Sequence, residues 1–203
     1  MSNSDFNLTQ QNQNINSKIV VSLEKIAQSY RVLLWQESKA FDLSPIQIQL
    51  LIFLLNHSNE KRKVSYLANE FNLTKATISD TIKTLEQKKL IKKEFEPLDT
   101  RSYIIQLTKK GKAIAEKTSF FTKEIQHSIN KLNKNDKEIL MISLFNIIKH
   151  LNSIGIISLQ RMCSTCNYYQ SSANGETHFC NLLNQKLNIT DLRVDCPDYL
   201  KIA

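Results

Sequence analysis

The chain has 203 residues, of which 41% are hydrophobic and 23% charged, with a formal net charge of +8 and a pI near 9.3. That length can bury one good core, or one core plus an appendage. With glycine only at positions 111, 155 and 175, neither a GxxxxGK phosphate loop nor a GxGxxG dinucleotide turn can be written. Enzymes built on those two loops are therefore excluded.

Membrane association is not indicated by the sequence. No apolar run reaches the ~18 residues of a membrane-spanning helix, and the N-terminus lacks the basic and apolar regions of a signal peptide. We therefore expect a cytoplasmic protein with no membrane partner. Residues 1–14 are polar and rich in Asn and Gln, which predicts a disordered arm.

A long helix is predicted from Ile15 onward. Its apolar stripe alternates spacings of four and three and consists of Ile19, Leu23, Ile26, Tyr30 and Leu33. Such a stripe packs within one subunit or against a second subunit. The spacing of the stripe leaves both alternatives open.

A mostly apolar helix is predicted next. It begins at Ser44-Pro45-Ile46-Gln47, where Ser44 is the N-cap and Gln47 completes a capping box. Because it is apolar over most of its circumference, we expect it to be the central helix of a core. A basic run, residues 61–63, then precedes Ser65, the predicted N-cap of the following helix.

Two short amphipathic helices and a hairpin follow. The inward positions fall at helical spacing and are Leu67, Phe71, Ile78, Ile82 and Leu85. Thr74 is the predicted N-cap of the second helix. Beyond Leu90 the period drops to two, which predicts strands over 91–95 and 102–107 with a tip at 96–101. A helix-turn-helix followed directly by a hairpin is a winged helix, here with its core over 44–111.

The same residues resemble a known family. The run LxxxxxLTxxxISxxIxxLExxxLI from Leu67, DTRS at 99–102 and LTKKG at 107–111 are similar to the MarR family of bacterial transcription regulators, over about residues 15–153. The resemblance implies a homodimer on a pseudo-palindromic operator, with Arg101 as the wing arginine. Where the family usually has Gly, this chain has Lys89, at a point where a left-handed residue often ends a helix.

The outward face of the second short helix has the composition of a DNA-contacting surface. The predicted DNA-binding residues, with the wing included, are Thr74, Lys75, Ala76, Thr77, Ser79, Asp80, Lys83, Thr84, Arg101 and Ser102. Small residues allow close approach in a major groove, hydroxyls bond phosphates, and lysines reach guanine. Arginine suits a narrow minor groove. The alternative is a solvated face, which usually carries more Glu.

The positive charge is concentrated in the same region. Residues 61–112 contain 13 Lys and Arg against 6 Asp and Glu, which accounts for most of the net charge of the chain. After Gly111 two further helical segments are predicted, the second opening at Asn135-Asp136 and ending near Gly155. By resemblance to the family, these helices join the N-terminal helix in the dimer interface.

All four cysteines lie in the last quarter of the chain. Cys163, Cys166, Cys180 and Cys196 have the spacing C-x2-C-x13-C-x15-C. In a cytoplasmic protein such a group indicates a metal site rather than disulfides. Because residues 160–203 carry few apolar side chains, a metal would supply folding energy.

The metal itself is left open by the spacing. Zinc commonly occupies four-cysteine sites, whereas an iron–sulfur cluster tolerates dispersed ligands and fits the Cys196-Pro197 pair. His178 could replace one cysteine, and thiols without metal are the third alternative. The segment follows the helices expected to form the dimer interface. It is therefore either structural or a sensor that alters the spacing of the two DNA-binding helices of the dimer.

The overall prediction is a mainly α (α+β) protein, with a winged helix-turn-helix, a helical dimerisation region and a small Cys-rich appendage. Its predicted partners are double-stranded DNA, a second copy of the chain and an unidentified small-molecule effector. It is not predicted to be an enzyme, since no catalytic group can be assembled from recognisable motifs. The alternative function is a winged-helix protein-interaction module carrying a redox or iron–sulfur unit.

Overall fold

The computed structural model describes residues 4–96, 99–172 and 177–202, without the side chains of residues 96 and 99–101. The helices are α1 Leu8–Gln13, α2 Ile15–Phe41, α3 Pro45–Asn56, α4 Val64–Glu70, α5 Lys75–Gln87, α6 Lys109–Thr118, α7 Lys123–Asn130 and α8 Lys134–Ser153. The strands are β1 Ile91–Glu96, β2 Asp99–Leu107, β3 Tyr169–Ser171, β4 His178–Cys180 and β5 Gln185–Leu187. The mainly α winged-helix prediction is thereby confirmed.

The core of the winged helix is built around α3. Its first turn has the predicted capping box, in which the Ser44 hydroxyl accepts from the Gln47 N–H and the Gln47 side chain accepts from the Ser44 N–H. The core positions with no solvent exposure include Ile48, Leu50, Leu51, Leu54, Leu67, Ile78, Ile82 and Leu85. The predicted central helix and the inward faces of α4 and α5 therefore form one apolar cluster.

The wing is an antiparallel hairpin joined to the helix-turn-helix at both ends. β1 pairs with β2 from Ile91 opposite Leu107 to Phe95 opposite Tyr103, with an irregularity after Phe95. The Ile105 N–H also donates to the Arg62 carbonyl at 3.0 Å. The segment before α4 is thus tied to the wing, which fixes the position of the hairpin relative to α4.

The turn from α5 into β1 has left-handed geometry at Lys89, the position where the MarR family usually has glycine. Its φ is +58°, and the Leu90 N–H donates to the Leu85 carbonyl at 3.0 Å. Gly111 follows the second wing strand and lies against the start of the first. A Cβ added there would lie 1.9 Å from the Leu90 carbonyl oxygen. The chain passes so close to β1 at this point that only glycine fits.

The N-terminal helix and α8 keep much of their apolar surface exposed. In α2 the structure buries only Ser17, Leu34 and Ser38. The exposed apolar side chains of the two helices include Ile15, Ile19, Ile26, Tyr30, Ile139, Leu140 and Ile147. Part of this surface forms an apolar crevice of about 310 Å³ between α2 and α8.

The C-terminal segment forms a small antiparallel sheet in the order β3-β4-β5. It shares a second apolar cluster with α8, made of Phe145, Met162, Cys163, Leu187 and Leu192. Phe145 is contributed by α8 and the other four residues by the appendage. The appendage therefore completes its core with a side chain of α8.

Several local predictions differ from the structure, one of them in the wing, where β2 begins at Asp99 within the predicted tip. Part of the predicted disordered arm forms α1, because the Asn7 side chain caps its first turn. Helix α4 begins at Val64 with Lys63 at the N-cap position and no side-chain cap, so Ser65 is not the cap. The segment after Gly111 is interrupted by a 3-10 turn at Ser119–Thr122, where the Ser119 hydroxyl bonds back to the Glu116 carbonyl.

In the part of the chain that the structure describes, no single helix is long and apolar enough to cross a membrane. Taken together, α2 and α3 satisfy the length and composition requirement, with a bend of 90° between them. Helix α3 is the buried central helix of the core.

Candidate nucleic-acid interface and cysteine pocket

Helix α5 presents one buried face and one exposed face. Thr74 is its N-cap as predicted, since the Thr77 N–H donates to the Thr74 hydroxyl at 3.1 Å. The exposed predicted residues on or next to α5 are Thr74, Lys75, Ala76, Thr77, Ser79, Asp80 and Lys83. Seven of the predicted DNA-binding residues therefore lie on one open surface.

The remaining predicted residues are placed differently. Thr84 is half-buried and its hydroxyl donates to the Asp80 carbonyl at 3.0 Å, within α5 itself. Ser102 is half-buried in β2, where its hydroxyl accepts from Lys63 Nζ at 3.5 Å. Arg101 lies in β2 beside the hairpin tip, and its side chain is outside the described part of the structure.

Several charged groups near this surface brace the winged helix. Lys93 Nζ lies 2.6 Å from Glu86 Oε2 and 5.3 Å from the centre of the Tyr103 ring, so it links α5 to the wing. Arg62 donates to the Gln106 side chain at 2.7 Å and to the His57 carbonyl at 2.8 Å. These two cations of the basic region hold the wing in place.

The four cysteines meet at one pocket. Cys163, Cys166, Cys180 and Cys196 all line a cavity of about 360 Å³ in the appendage. All four are free thiols. Cys163 and Cys166 lie on one tight turn, in which the Cys166 N–H donates to the Cys163 carbonyl at 3.0 Å. Residues separated by up to 33 positions in sequence are thus brought together by the small sheet and the C-terminal chain.

Hydrogen bonds to sulfur mark two of these cysteines. The Arg193 N–H donates to Cys163 Sγ at 3.2 Å, and its guanidinium donates to Cys196 Sγ at 3.3 Å. Burial raises the pKa of the Cys163 thiol, an effect that the neighbouring cysteines increase. The pKa of Arg193 is raised by its bond to Cys196. Cations and N–H donors of this kind stabilise thiolates.

Within the described ranges, no three His, Cys, Asp or Glu side chains stand close enough together to hold a metal ion as they are placed. His178, the alternative ligand, does not line the pocket. Its Nδ1 lies 2.6 Å from the Tyr169 hydroxyl.

A buried arginine next to the pocket was not found from the sequence. Arg161 is 5% exposed and bonds to Asp195 at 2.6 and 2.8 Å and to Glu70 at 3.2 Å. Burial opposes its charge, but the bonds to Asp195 and Glu70 raise its pKa overall. Despite burial, bonds from Arg161 and His57 lower the pKa of Asp195. The only sequence signal is that Arg161 and Asp195 lie close to the first and last cysteines.

The comparisons with known proteins concern the winged-helix part. Residues 41–102 match the sequence model of the MarR family. No curated protein sequence gives a significant match.

Solved structures that are similar to this chain include two DNA complexes. A Staphylococcus aureus MepR–DNA complex is 26% identical, with a TM-score of 0.57, and covers 65% of this chain and 97% of its own. MepR in its DNA-binding conformation is 25% identical, with a TM-score of 0.57, over 66% of this chain and 98% of its own. Streptococcus pneumoniae FabT in complex with DNA shares the fold, at 20% identity and a TM-score of 0.58, over 68% and 99%.

The fold and the exposed face of α5 define the class as winged helix-turn-helix proteins. Within that class, residues 41–102 match the MarR family model, and the chain is similar to MepR over 65% of its length. Close to a third of the chain has no counterpart in these structures, since they cover 65% to 68% of it.

Proposed function

We propose that this protein is a cytoplasmic transcription regulator, and not an enzyme, that binds double-stranded DNA as a homodimer. The observation that carries the proposal is the surface of α5, where an apolar face with no exposure lies opposite a face of small, hydroxylated and cationic residues. That face fits a major groove, and the surrounding lysines supply affinity for phosphates. The MepR and FabT structures were obtained with DNA, which supports the same conclusion.

The proposed dimer rests on the exposed apolar surface of α2 and α8. Ile15 is 66% exposed and Ile139 is 55% exposed, and contiguous apolar surface of this kind marks protein interfaces. Two-fold symmetry would place two α5 helices on half-sites about one turn of DNA apart. A pseudo-palindromic operator follows from that arrangement.

A crevice next to this surface is a suitable place for the unidentified effector. It has a volume of about 690 Å³ and lies between α2 and α3, with Trp35, Leu34 and Val32 on its apolar side and Arg31 and Lys39 on its polar side. Mostly apolar clefts with a few charged groups are typical of small-molecule sites. An anionic aromatic or acyl compound fits this composition.

The DNA proposal is tested by selecting sequences from a random duplex pool with the full chain. A recovered palindrome, with binding that weakens steeply as salt rises, is the expected result. Arg101→Ala is expected to weaken operator binding about tenfold without dissociating the dimer, in the range for a lost base or groove contact. Recovery of no sequence would instead favour a winged-helix protein-interaction module.

We further propose that the four-cysteine pocket binds a metal centre. The support is that all four thiols line one cavity and that Arg193 donates to two of the sulfurs. Zinc would require the four sulfurs to draw in to about 2.3 Å from one ion. An iron–sulfur cluster would be held by the same four cysteine thiolates. The ligands in either case are Cys163, Cys166, Cys180 and Cys196.

The metal proposal is tested by measuring zinc, iron and acid-labile sulfide in protein purified without oxygen. One zinc per chain would indicate a structural site, and iron with matching sulfide a redox- or iron-responsive regulator. The Cys163→Ser/Cys166→Ser variant is the control and should lose the metal. Metal content equal in the variant and the original chain would contradict the assignment.

A further inference from the structure

The appendage contacts the helix-turn-helix itself, and not only the dimerisation helices. Ser158, at its start, donates to the Asn69 carbonyl at the end of α4 with a distance of 2.8 Å. Arg161 reaches the same helix, where its guanidinium lies 2.5 Å from Glu70 Oε2 and 3.0 Å from the Tyr66 hydroxyl. Helix α4 precedes the turn into α5, so these contacts act on the DNA-reading unit.

The Arg161 cluster is closed from both sides. Its guanidinium carbon lies 5.8 Å from the Phe53 ring centre and 6.0 Å from the Tyr66 ring centre. Asp195 bonds to Arg161 and also lies 3.0 Å from His57 Nε2 at the end of α3. Because the arginine is almost fully buried, loss of one carboxylate would leave an uncompensated charge. The cluster therefore fixes the appendage against α3 and α4 in one arrangement.

The same two backbone segments carry the cluster and the cysteine pocket. The Cys196 N–H donates to the Arg161 carbonyl at 2.9 Å, and the Cys163 N–H donates to the Arg193 carbonyl at 3.0 Å. In the sequence, Arg161 lies two residues before Cys163, and Asp195 lies directly before Cys196. A change in how Cys163 and Cys196 are held must move Arg161 and Asp195 as well, since both pairs belong to one hydrogen-bonded unit.

Helix α4 depends on tertiary contacts for its stability, so a change in the appendage can alter it. It has seven residues and no side-chain N-cap, and helices of that length are unstable without tertiary contacts. Its contacts with the appendage are Arg161 to Tyr66 and Glu70, and Ser158 to Asn69. Helix α4 packs on α5, whose exposed face is the proposed DNA-binding surface.

We propose that the Arg161–Glu70–Asp195 cluster couples the state of the four-cysteine pocket to the position of α4, and thereby to operator affinity. Arg161 is a positioning residue in this scheme and does not contact DNA. The inference rests on the proposed DNA-binding function. It differs from a sensor that acts by changing the spacing of the two reading heads, because the signal reaches each helix-turn-helix within its own subunit.

A double-mutant cycle on the full chain tests the coupling. Operator affinity is measured for the original chain, for Cys163→Ser/Cys166→Ser, for Glu70→Gln and for the triple variant. We expect the cysteine substitutions to weaken binding about tenfold, within the usual range for coupled sites, but less than twofold in the Glu70→Gln background. If Glu70 were merely structural, the cysteine substitutions would cost the same in both backgrounds, and that result would overturn the inference.

A matched control removes a different carboxylate. Glu116→Gln makes the same chemical change in α6, where Glu116 pairs with Lys112 at 3.9 Å, and should leave the tenfold effect of the cysteine substitutions intact. Equal loss of the effect in Glu116→Gln and Glu70→Gln would also overturn the coupling.

Amide hydrogen exchange separates failure of this inference from failure of the proposed function. The cysteine substitutions are expected to lower protection in α4, residues 64–70, more than in α6, residues 109–118, whether or not DNA is bound. If no DNA sequence is selected but α4 responds, the coupling of the pocket to α4 stands, while the DNA-binding proposal and the link to operator affinity fail. If the operator is bound and α4 protection is unchanged, the coupling fails alone.

Discussion

Lys89 carries a side chain at a position where the backbone favours glycine. Its φ of +58° is required for the Leu90 N–H to reach the Leu85 carbonyl and end α5. A residue with a Cβ pays about 1 kcal/mol for this conformation relative to glycine. We expect Lys89→Gly to raise the free energy of unfolding by about that amount in urea denaturation followed by circular dichroism.

The control for this substitution is Lys89→Ala. It removes the same charge but keeps the Cβ, so the left-handed cost remains and no comparable gain is expected. A gain of equal size in both variants would show that charge repulsion within the basic region, and not backbone geometry, limits stability at this position.

Gly111 is constrained by contact and not by its backbone angles. An added Cβ would lie 1.9 Å from the Leu90 carbonyl oxygen, and that carbonyl already accepts from the Thr108 N–H at 3.0 Å. The clash can be relieved only by moving α6 away from β1. We expect Gly111→Ala to lower the free energy of unfolding by about 3 kcal/mol or more, the range for severe overpacking.

Gly155→Ala is the matched control. Its φ is +77° but nothing lies within 4 Å of an added Cβ, so only the left-handed cost of about 1 kcal/mol is expected. Urea denaturation of both variants measures the difference. Equal losses would contradict the close approach of α6 to β1.

Residue-scale prediction succeeded where the signal is local. Thr74 and Ser44 were identified as N-caps because capping depends on residues three positions away. Lys89 is singled out by the resemblance to the MarR family, in which glycine usually stands at this point. Arg161 was not identified, because its partners Glu70 and Asp195 are 91 and 34 residues away in sequence. Periodicity and turn chemistry contain no information on such distances.

At the scale of elements, the exposed face of α5 leads to a testable prediction about the salt dependence of DNA binding. Lys83 lies on its exposed face, four residues after Ser79 and one turn from the end of the helix. If it contacts a phosphate, Lys83→Gln should weaken binding to all duplexes by a similar factor and lower the slope of log affinity against log salt by about one unit. Titrations at four salt concentrations would measure this slope.

Lys134→Gln serves as the control for charge alone. Lys134 is in the first turn of α8, away from α5, and its side chain is 88% exposed. Since each substitution removes one positive charge, a long-range charge effect would change both slopes equally. A phosphate contact would change only the slope of the Lys83 variant.

The elements themselves were largely predictable, and the misses have identifiable causes. The periods of 3.6 and 2 located α3, α4, α5 and the hairpin because each buries a single face. The break at Ser119–Thr122 has no signal in the periodicity, since the apolar spacing continues across it from Ile114 through Phe121 to Ile125. The crossing of the appendage over α4 has no periodic signal at all.

At the scale of the whole molecule, α8 contributes both to an exposed apolar surface and to the core of the appendage. Its apolar surface is partly exposed, as in Ile139 and Ile147, and partly covered by the appendage at Phe145, which is 3% exposed. The appendage has too few apolar residues for a core of its own, and α8 supplies the remainder. The appendage is therefore expected to unfold together with α8, not as a separate unit.

Phe145→Ala tests this cooperativity. Loss of the buried ring leaves a cavity between α8 and the appendage, for which about 3 kcal/mol of destabilisation is expected. Hydrogen exchange should then increase in both α8 and residues 162–192, because the two share one cluster. Phe120→Ala is the control, since its ring is 70% exposed and its removal should change neither region. Increased exchange in residues 162–192 with α8 unchanged would show that the appendage is a separate folding unit, stabilised by its cysteine pocket alone.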